Sequence, residues 1–477
     1  MRIGRQEGGA RRKIGMTVVD LDVCDRLPTT SLAVAVPNCL NPTPLEQRSP
    51  LVSHHMSTAG FQRDAFGFLR GNFRWLLAGF LMMLFSCFGQ TFFIGLSAND
   101  LRSAFHLTNG AFGGLYMLAT LASAVSLPWF GRTLDILPGW KVVRFTLPAL
   151  ALACVLLVFA HSVVILWLAL YMLRLFGQGM MSEAAFTVTG RWFVANRGRA
   201  MAVIMQGQQL GMAVLPLMIV VAERVSGNWK AAWLVSAAVI ALLGLPAVVS
   251  LARIERTPHS HEAKTGIRHT TRDWTRSEVI RDPMFYLLVA GTISAPMSGS
   301  MIFFDQDYLM ALRGYDPLVF AGAFPVMAVA TVAFGILCGR LIDQFGALRL
   351  LPVFAVPLAL ATAVIALITP VSGVYLFMFL FGISNALTTT VFGALWPEVY
   401  GLKNLGGIRA MVLSLMVVST ALGPGLSGYL IDNGVSLPMQ MLGLSGWCIV
   451  ATILLTIATR RVRLREVLAA NAVQPAG

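Results

Sequence analysis

The sequence predicts an all-α polytopic membrane protein: twelve transmembrane helices in two pseudo-symmetric six-helix bundles, with the N- and C-termini cytoplasmic. Three observations carry this. First, 56% of the 477 residues are apolar and only 12% are Asp, Glu, Lys or Arg, with a mean hydropathy of +0.72. A single water-soluble core cannot hide that much apolar surface, which excludes a soluble enzyme, a disordered chain and a nucleic-acid-binding domain. Second, apolar runs near the roughly 20 residues needed to cross a bilayer fall at about 75–96, 111–130, 142–160, 163–186, 200–222 and 231–252. After a polar stretch, six more fall at about 285–307, 317–338, 350–369, 374–396, 410–430 and 438–459. Third, placing the segment before the first span inside the cell puts 24 Lys and Arg from residue 57 onward on the cytoplasmic side, against Arg102, Arg224, Lys230 and Arg313 on the other. Positive residues accumulate on the cytoplasmic side, so the net charge of +14 reports topology and not nucleic acid.

Taken in order, residues 1–72 read as a disordered cytoplasmic tail. Its longest apolar stretch, Leu32–Val36, is too short for a signal peptide, and Met56 offers an alternative start. Residues 73–252 form the N-terminal bundle, 253–283 a polar cytoplasmic linker, 284–460 the C-terminal bundle and 461–477 a cytoplasmic tail. The linker's His259, His261 and His269 read as solvated, not as a metal site. The spans carry interior Gly and Pro, which membrane bundles tolerate. The six Cys lack CxxC spacing, and Cys87, Cys154, Cys338 and Cys448 lie in apolar runs, so they read as small core residues. No metal and no cofactor is expected.

The two halves repeat. Gly131-Arg-Thr-Leu-Asp135 matches Gly339-Arg-Leu-Ile-Asp343 at an offset of 208, and Phe92-Phe93 through Leu101-Arg102 matches Phe303-Phe304 through Leu312-Arg313 at 211. Phe176-Gly177 matches Phe381-Gly382 and Arg199-Ala-Met201 matches Arg409-Ala-Met411. A Gly-x-x-x-Asp at a helix end lets two helices approach and sets a carboxylate beside a facing helix N-terminus or a basic group. Gly131, Asp135, Gly339 and Asp343 are therefore expected to form a two-state gate; the alternative is that both Asp are solvated helix-end charges.

On these motifs, and on Arg174-Leu-Phe-Gly177-Gln-Gly179 in the fourth span, the chain from about 70 to 460 resembles the major facilitator superfamily of secondary transporters. It departs from that pattern at Ile136, where a basic residue is usual, and at Gly139, one position late. Arg191-Trp-Phe through Arg197-Gly-Arg199-Ala is loosely similar to the monocarboxylate and oxalate–formate branch, although the eighth and eleventh spans lack that branch's basic residue.

Polar residues within the spans are the candidates for substrate binding or coupling. Arg174 is a mid-span cation, costly in isolation; it reads either as a carboxylate ligand or as a hydrogen-bond donor to the first span's backbone or Gln90. Gln178 lies one turn on. Glu183, nine residues beyond Arg174, points away from it on an ideal helix. The seventh span carries Gly291, Ser294, Pro296, Ser298, Gly299 and Ser300 and ends in Asp305-Gln306-Asp307. Asp305 and Asp307 are candidate proton carriers, or outer charges opposite Arg313. Asn385 completes the set.

The resemblance implies a secondary active transporter working by alternating access on a small organic solute, proton-coupled and as a monomer; Arg174 favours carboxylate uptake, and size and loop economy favour a bacterial inner membrane. The competing expectations are proton-coupled efflux of lipophilic or cationic compounds, and a non-transporting membrane sensor. No catalytic constellation is visible, so no enzyme is expected.

Overall fold

The computed structural model describes residues 58–473, apart from 194–195, 257–272 and 402–403. Tail residues 1–57, including Met56, and the three linker histidines lie outside the described residues, as do the side chains of Asp135 and Asp343. The described residues are helices joined by short connections, with no strand among them.

Twelve helices are long and apolar enough to cross a membrane. They are α1 (Gly67–Gly89), α2 (Asn109–Leu134), α3 (Gly139–Val158), α4 (Val163–Trp192), α5 (Arg197–Ser226) and α6 (Trp229–Ala252), then α7 (Pro283–Phe304), α8 (Pro317–Ile342), α9 (Ala347–Leu367), α10 (Val371–Tyr400), α11 (Gly407–Asp432) and α12 (Leu437–Leu464). One end of the molecule carries the 253–282 connection and is called the linker end. The other, with the 90–108 and 305–316 connections, is the far end.

The expected bundle edges at 73 and 460 fall inside helices, which run Thr58–Ser86 and Leu437–Val473. Apolarity sets where a span begins, but backbone hydrogen bonding carries a helix onward through residues of good propensity, such as the Arg, Leu, Glu and Ala that follow position 460. Interior Pro128, Pro148, Pro216, Pro325, Pro397 and Pro424 are all accommodated.

Three interruptions shape the interior. At the end of α1 a 3₁₀ turn, Cys87–Gly89, is followed by extended Gln90 (φ −81°, ψ 152°) and a new turn at Thr91–Ile94. In α4, residues Leu173–Met181 are π-helical, a form frequent at functional sites. In α7 the interruption is slight, at Ile293 between Pro283–Thr292 and Ser294–Phe304. Beyond α1 and α7, the repeated Phe-Phe…Leu-Arg segments each form a short helix, Ala98–Phe105 and Gln306–Arg313. Each ends on a left-handed residue, His106 (φ 54°) and Gly314 (φ 67°).

Helix α2 packs closely on α11. A Cβ on Gly113 would collide with the Pro424 carbonyl, and one on Gly428 with that of Asn109. Phe304 of α7 lies against Phe112 and Tyr116 of α2, with ring centroids 5.2 and 4.5 Å away. Glycines at these crossings let polar backbone groups and apolar rings pack without intervening side chains.

Candidate functional site

Arg174 sits in the π-helical part of α4 and is 3% exposed. Its Nη1 donates to the Gly89 carbonyl (3.2 Å) and to Thr91 Oγ1 (3.3 Å). Tyr116 donates to the same Thr91 oxygen at 2.9 Å, and its ring centroid lies 5.5 Å from the guanidinium carbon. Gly89 makes this possible: a Cβ there would strike the Leu173 carbonyl and approach Gln178 N at 2.8 Å. Arg174 thus ties the broken end of α1 to the π-segment of α4. Its Nε and the neighbouring Gln178 Oε1 are buried without a partner. The geometry matches the backbone-donor alternative for Arg174.

The other mid-span candidates do not converge on it. Gln90 and Asn385 are half-buried, and Glu183 is exposed on α4. The nine-residue phase relation between Arg174 and Glu183 does not run on an ideal helix, because the π-turn intervenes. At the linker end, a Cβ on either Gly131 or Gly339 would meet nothing within 4 Å. The close helix approach expected at these glycines is therefore absent here; the tight crossing lies at the opposite end, between α2 and α11.

At the far end, Asp305 is buried, with Oδ2 lacking a partner, as do Ser427 Oγ and Gln440 Oε1. Burial pushes its carboxyl up to about 7, partly offset by the Arg102 charge. Asp307 accepts from Asn99 N across the two halves at 3.4 Å. Burial, with Asp100 and Glu223 nearby, holds its carboxyl well above the usual range. Asp100, hydrogen-bonded to Glu223, is raised by burial too. The cation serving this cluster is Arg102, which also donates to Asn99 and Asn109. Arg313 is not the counter-charge: it donates to the carbonyls of Ile365 and Ile368 at the end of α9. Deprotonated carboxylates at such sites lose hydration, so each favours its neutral form.

Two latches flank this cluster. Asp432, at the end of α11, accepts from Asn109 N (3.1 Å), Asn109 Nδ2 (3.1 Å) and Gly110 N (2.7 Å), and so caps α2 from the other half. Arg224, at the end of α5, pairs at 2.5 Å with Asp316, which caps α8 through Leu318 N. Those two bonds hold the exposed Asp316 carboxyl below its usual value. Gln306 adds a buried bond across the halves to the Phe92 carbonyl at 2.8 Å.

Sequence reasoning missed Asp432, Asp316 and Arg224 because terminal charges look like ordinary solvated ends. Their offset from one another was the available signal: Arg224 and Asp432 are 208 positions apart, as are Thr108 and Asp316.

A cavity of about 740 Å³ opens near the linker end, lined by α1 and by Val203 of α5. Apart from Arg70 its lining is Leu, Phe and Val. Among the described residues no group of three or more His, Cys, Asp or Glu is placed to hold a metal ion.

The profile of the Major Facilitator Superfamily matches residues 79–406. The uncharacterized MFS-type transporter YhjX of Escherichia coli (strain K12) is 26% identical over 166 residues, which cover 34% of this chain and 41% of that relative, well under two thirds of its length. Among solved structures, a bacterial homologue of the human lysosomal transporter Spinster, inward-facing and occupied, aligns with a TM-score of 0.58 at 15% identity, covering 82% of this chain and 96% of that one. A mutant of the nucleoside transporter NupG aligns with a TM-score of 0.61 at 14% identity, covering 81% and 99%. With twelve spans, two six-helix halves and a profile match over most of its length, the chain is an integral multi-pass membrane protein that belongs to the Major Facilitator Superfamily.

Proposed function

We propose that this chain is a secondary active transporter of a small organic solute, working by alternating access with protons as the coupling ion. The observation that carries the reading is the far end itself. There the two halves are drawn together by reversible polar contacts, Asp432 on α2 and Arg224 on Asp316, around carboxyls that favour the protonated form. Contacts of this kind form in one arrangement and break in the other, which is what a two-state gate requires. In this reading, supported by the charge asymmetry, the linker end faces the cytoplasm, and the closed far end makes this arrangement inward-facing. Asp305 and Asp307 are the coupling residues: they lie where closure removes water and opening restores it. Arg174 serves the packing of α1 on α4 in this reading, so solute recognition belongs elsewhere in the N-terminal half. In this reading a monomer suffices for transport.

Purified full-length protein in proteoliposomes holding a pH-sensitive dye tests this. A solute-dependent pH change, abolished by a proton ionophore and by Asp305→Asn, is the expected result. Counterflow of the same solute without any pH change would remove proton coupling. Thiol labelling of Ser277→Cys from the outside of intact cells would overturn the topology.

A further inference from the structure

We infer that the cavity between α1 and α5 near the linker end binds an amphiphilic organic anion, with its acid group on Arg70 and its apolar body against Phe73, Leu77, Phe80 and Val203. This deepens the transporter reading and rests on it only for the claim that the bound anion is carried.

Two arginines stand one turn apart on α1 and have different fates. Arg74 donates to the carbonyls of Leu251 (3.0 Å) and Ser250 (2.5 Å) at the end of α6, and the adjacent Trp75 to that of Ile254 at 2.9 Å. Those groups fasten α1 to α6. Arg70 is exposed, has no hydrogen bond or ion pair among the described residues, and lies on the cavity wall. Its guanidinium offers five N–H donors in a planar fork suited to a carboxylate, sulfonate or phosphate oxygen pair. The rest of the wall is hydrocarbon, and Phe73 is 63% exposed into open space.

This combination selects one chemistry. A cation would face Arg70 with no acid to meet it. A neutral polyol would lose water to a wall that offers no acceptor. A short anion such as acetate would satisfy Arg70 and leave the apolar wall uncovered. An apolar body with a single acid group matches both parts. A volume of about 740 Å³ lies in the range of organic-ligand sites, which are mostly apolar with a few placed polar groups.

The test is equilibrium binding of radiolabelled decanoate to the full chain in phosphatidylcholine nanodiscs, with empty nanodiscs subtracted. Saturable binding is expected, displaced by unlabelled decanoate and not by acetate or decyltrimethylammonium. Arg70→Gln should weaken it about tenfold, the size of one charge-assisted hydrogen bond, and Arg70→Lys should retain most of it. Leu77→Trp, which fills the cavity and leaves Arg70 in place, should also weaken it; size-exclusion profiles confirm that each variant is folded. The proposal is overturned by absence of saturable binding, by equal displacement with the cation, or by full binding in either Arg70→Gln or Leu77→Trp. Loss of binding in phosphatidylglycerol nanodiscs would give the cavity to bilayer lipid and overturn it as well. Binding is scored without flux. Intact decanoate binding with no counterflow therefore removes the transport reading alone, while counterflow of another solute without decanoate binding removes the cavity assignment alone.

Discussion

Replacing Asp432 with Ala deletes the cap that the C-terminal half places on α2. Three hydrogen bonds are lost, from Asn109 N, Asn109 Nδ2 and Gly110 N. Helix α2 itself stays capped, because Thr108 Oγ1 still accepts from Ala111 N; the loss therefore falls on closure of the far end and not on the helix. Removing a capping side chain costs about 0.5–2 kcal/mol. Asp432 is solvent-exposed, so screening and replacement by water bring the net value to about 1 kcal/mol. That is about a fivefold shift in the ratio of far-end-closed to far-end-open molecules. Spin labels on Ser103→Cys and Ala311→Cys, exposed positions on the short helices of opposite halves, read that ratio by electron–electron distance measurement. The variant should gain long-distance population at the expense of short. An unchanged distribution in Asp432→Ala, and again in Asp432→Ala with Arg224→Gln, would refute the latch.

Four further outcomes follow from the same structure. Asp305 has a raised carboxyl, near 7 in the closed form, so closure binds a proton; the closed fraction should be full well below that pH and fall as pH rises through about 7. Asp305→Asn should remove the part of this profile near pH 7, whereas Asp307, Asp100, Glu223 and Arg102, the titratable and charged groups nearby, remain in place. Gly113→Ala sets a methyl against the Pro424 carbonyl and should shift the same spin-label distances toward the open form. Arg174→Gln should lower thermal stability by about 2 kcal/mol, since it removes a buried charged donor from Gly89 O and Thr91, while leaving the KM for the transported solute within about twofold. Exchanging charges in Arg224→Asp with Asp316→Arg should restore the closed population that either single change reduces.

The fold was legible because its signals are additive over long stretches: span length, hydropathy and positive charge all average over many residues. The expected spans overlap all twelve helices. The site was less legible, for local reasons. The π-turn at Leu173–Met181 and the break at Gln90 arise from the fit of α1 to α4, and no single residue announces them. Arg174 could be recognised as needing a partner, but not which of its two alternatives it took. Asp305 and Asp307 stand at the end of the seventh span, as the sequence has them, yet their counter-charge is Arg102 from the other half and not the nearer Arg313. Pairings across the halves depend on which end of the molecule is closed, a property that spacing along one chain does not encode.

The two latches occupy equivalent places in the repeat but carry opposite charge logic: a basic residue closes one helix end and an acidic residue the other. This makes the halves mutually selective. Two C-terminal halves facing each other would set the Asp432 position against the Asp316 position at both latches, carboxylate on carboxylate. Two N-terminal halves would set Arg224 against Thr108 and leave a cation without an acid. Like-charge juxtaposition rejects wrong partners more effectively than added attraction selects right ones. The two halves thus present distinct and mutually complementary ends, and halves produced as separate chains should find each other rather than themselves.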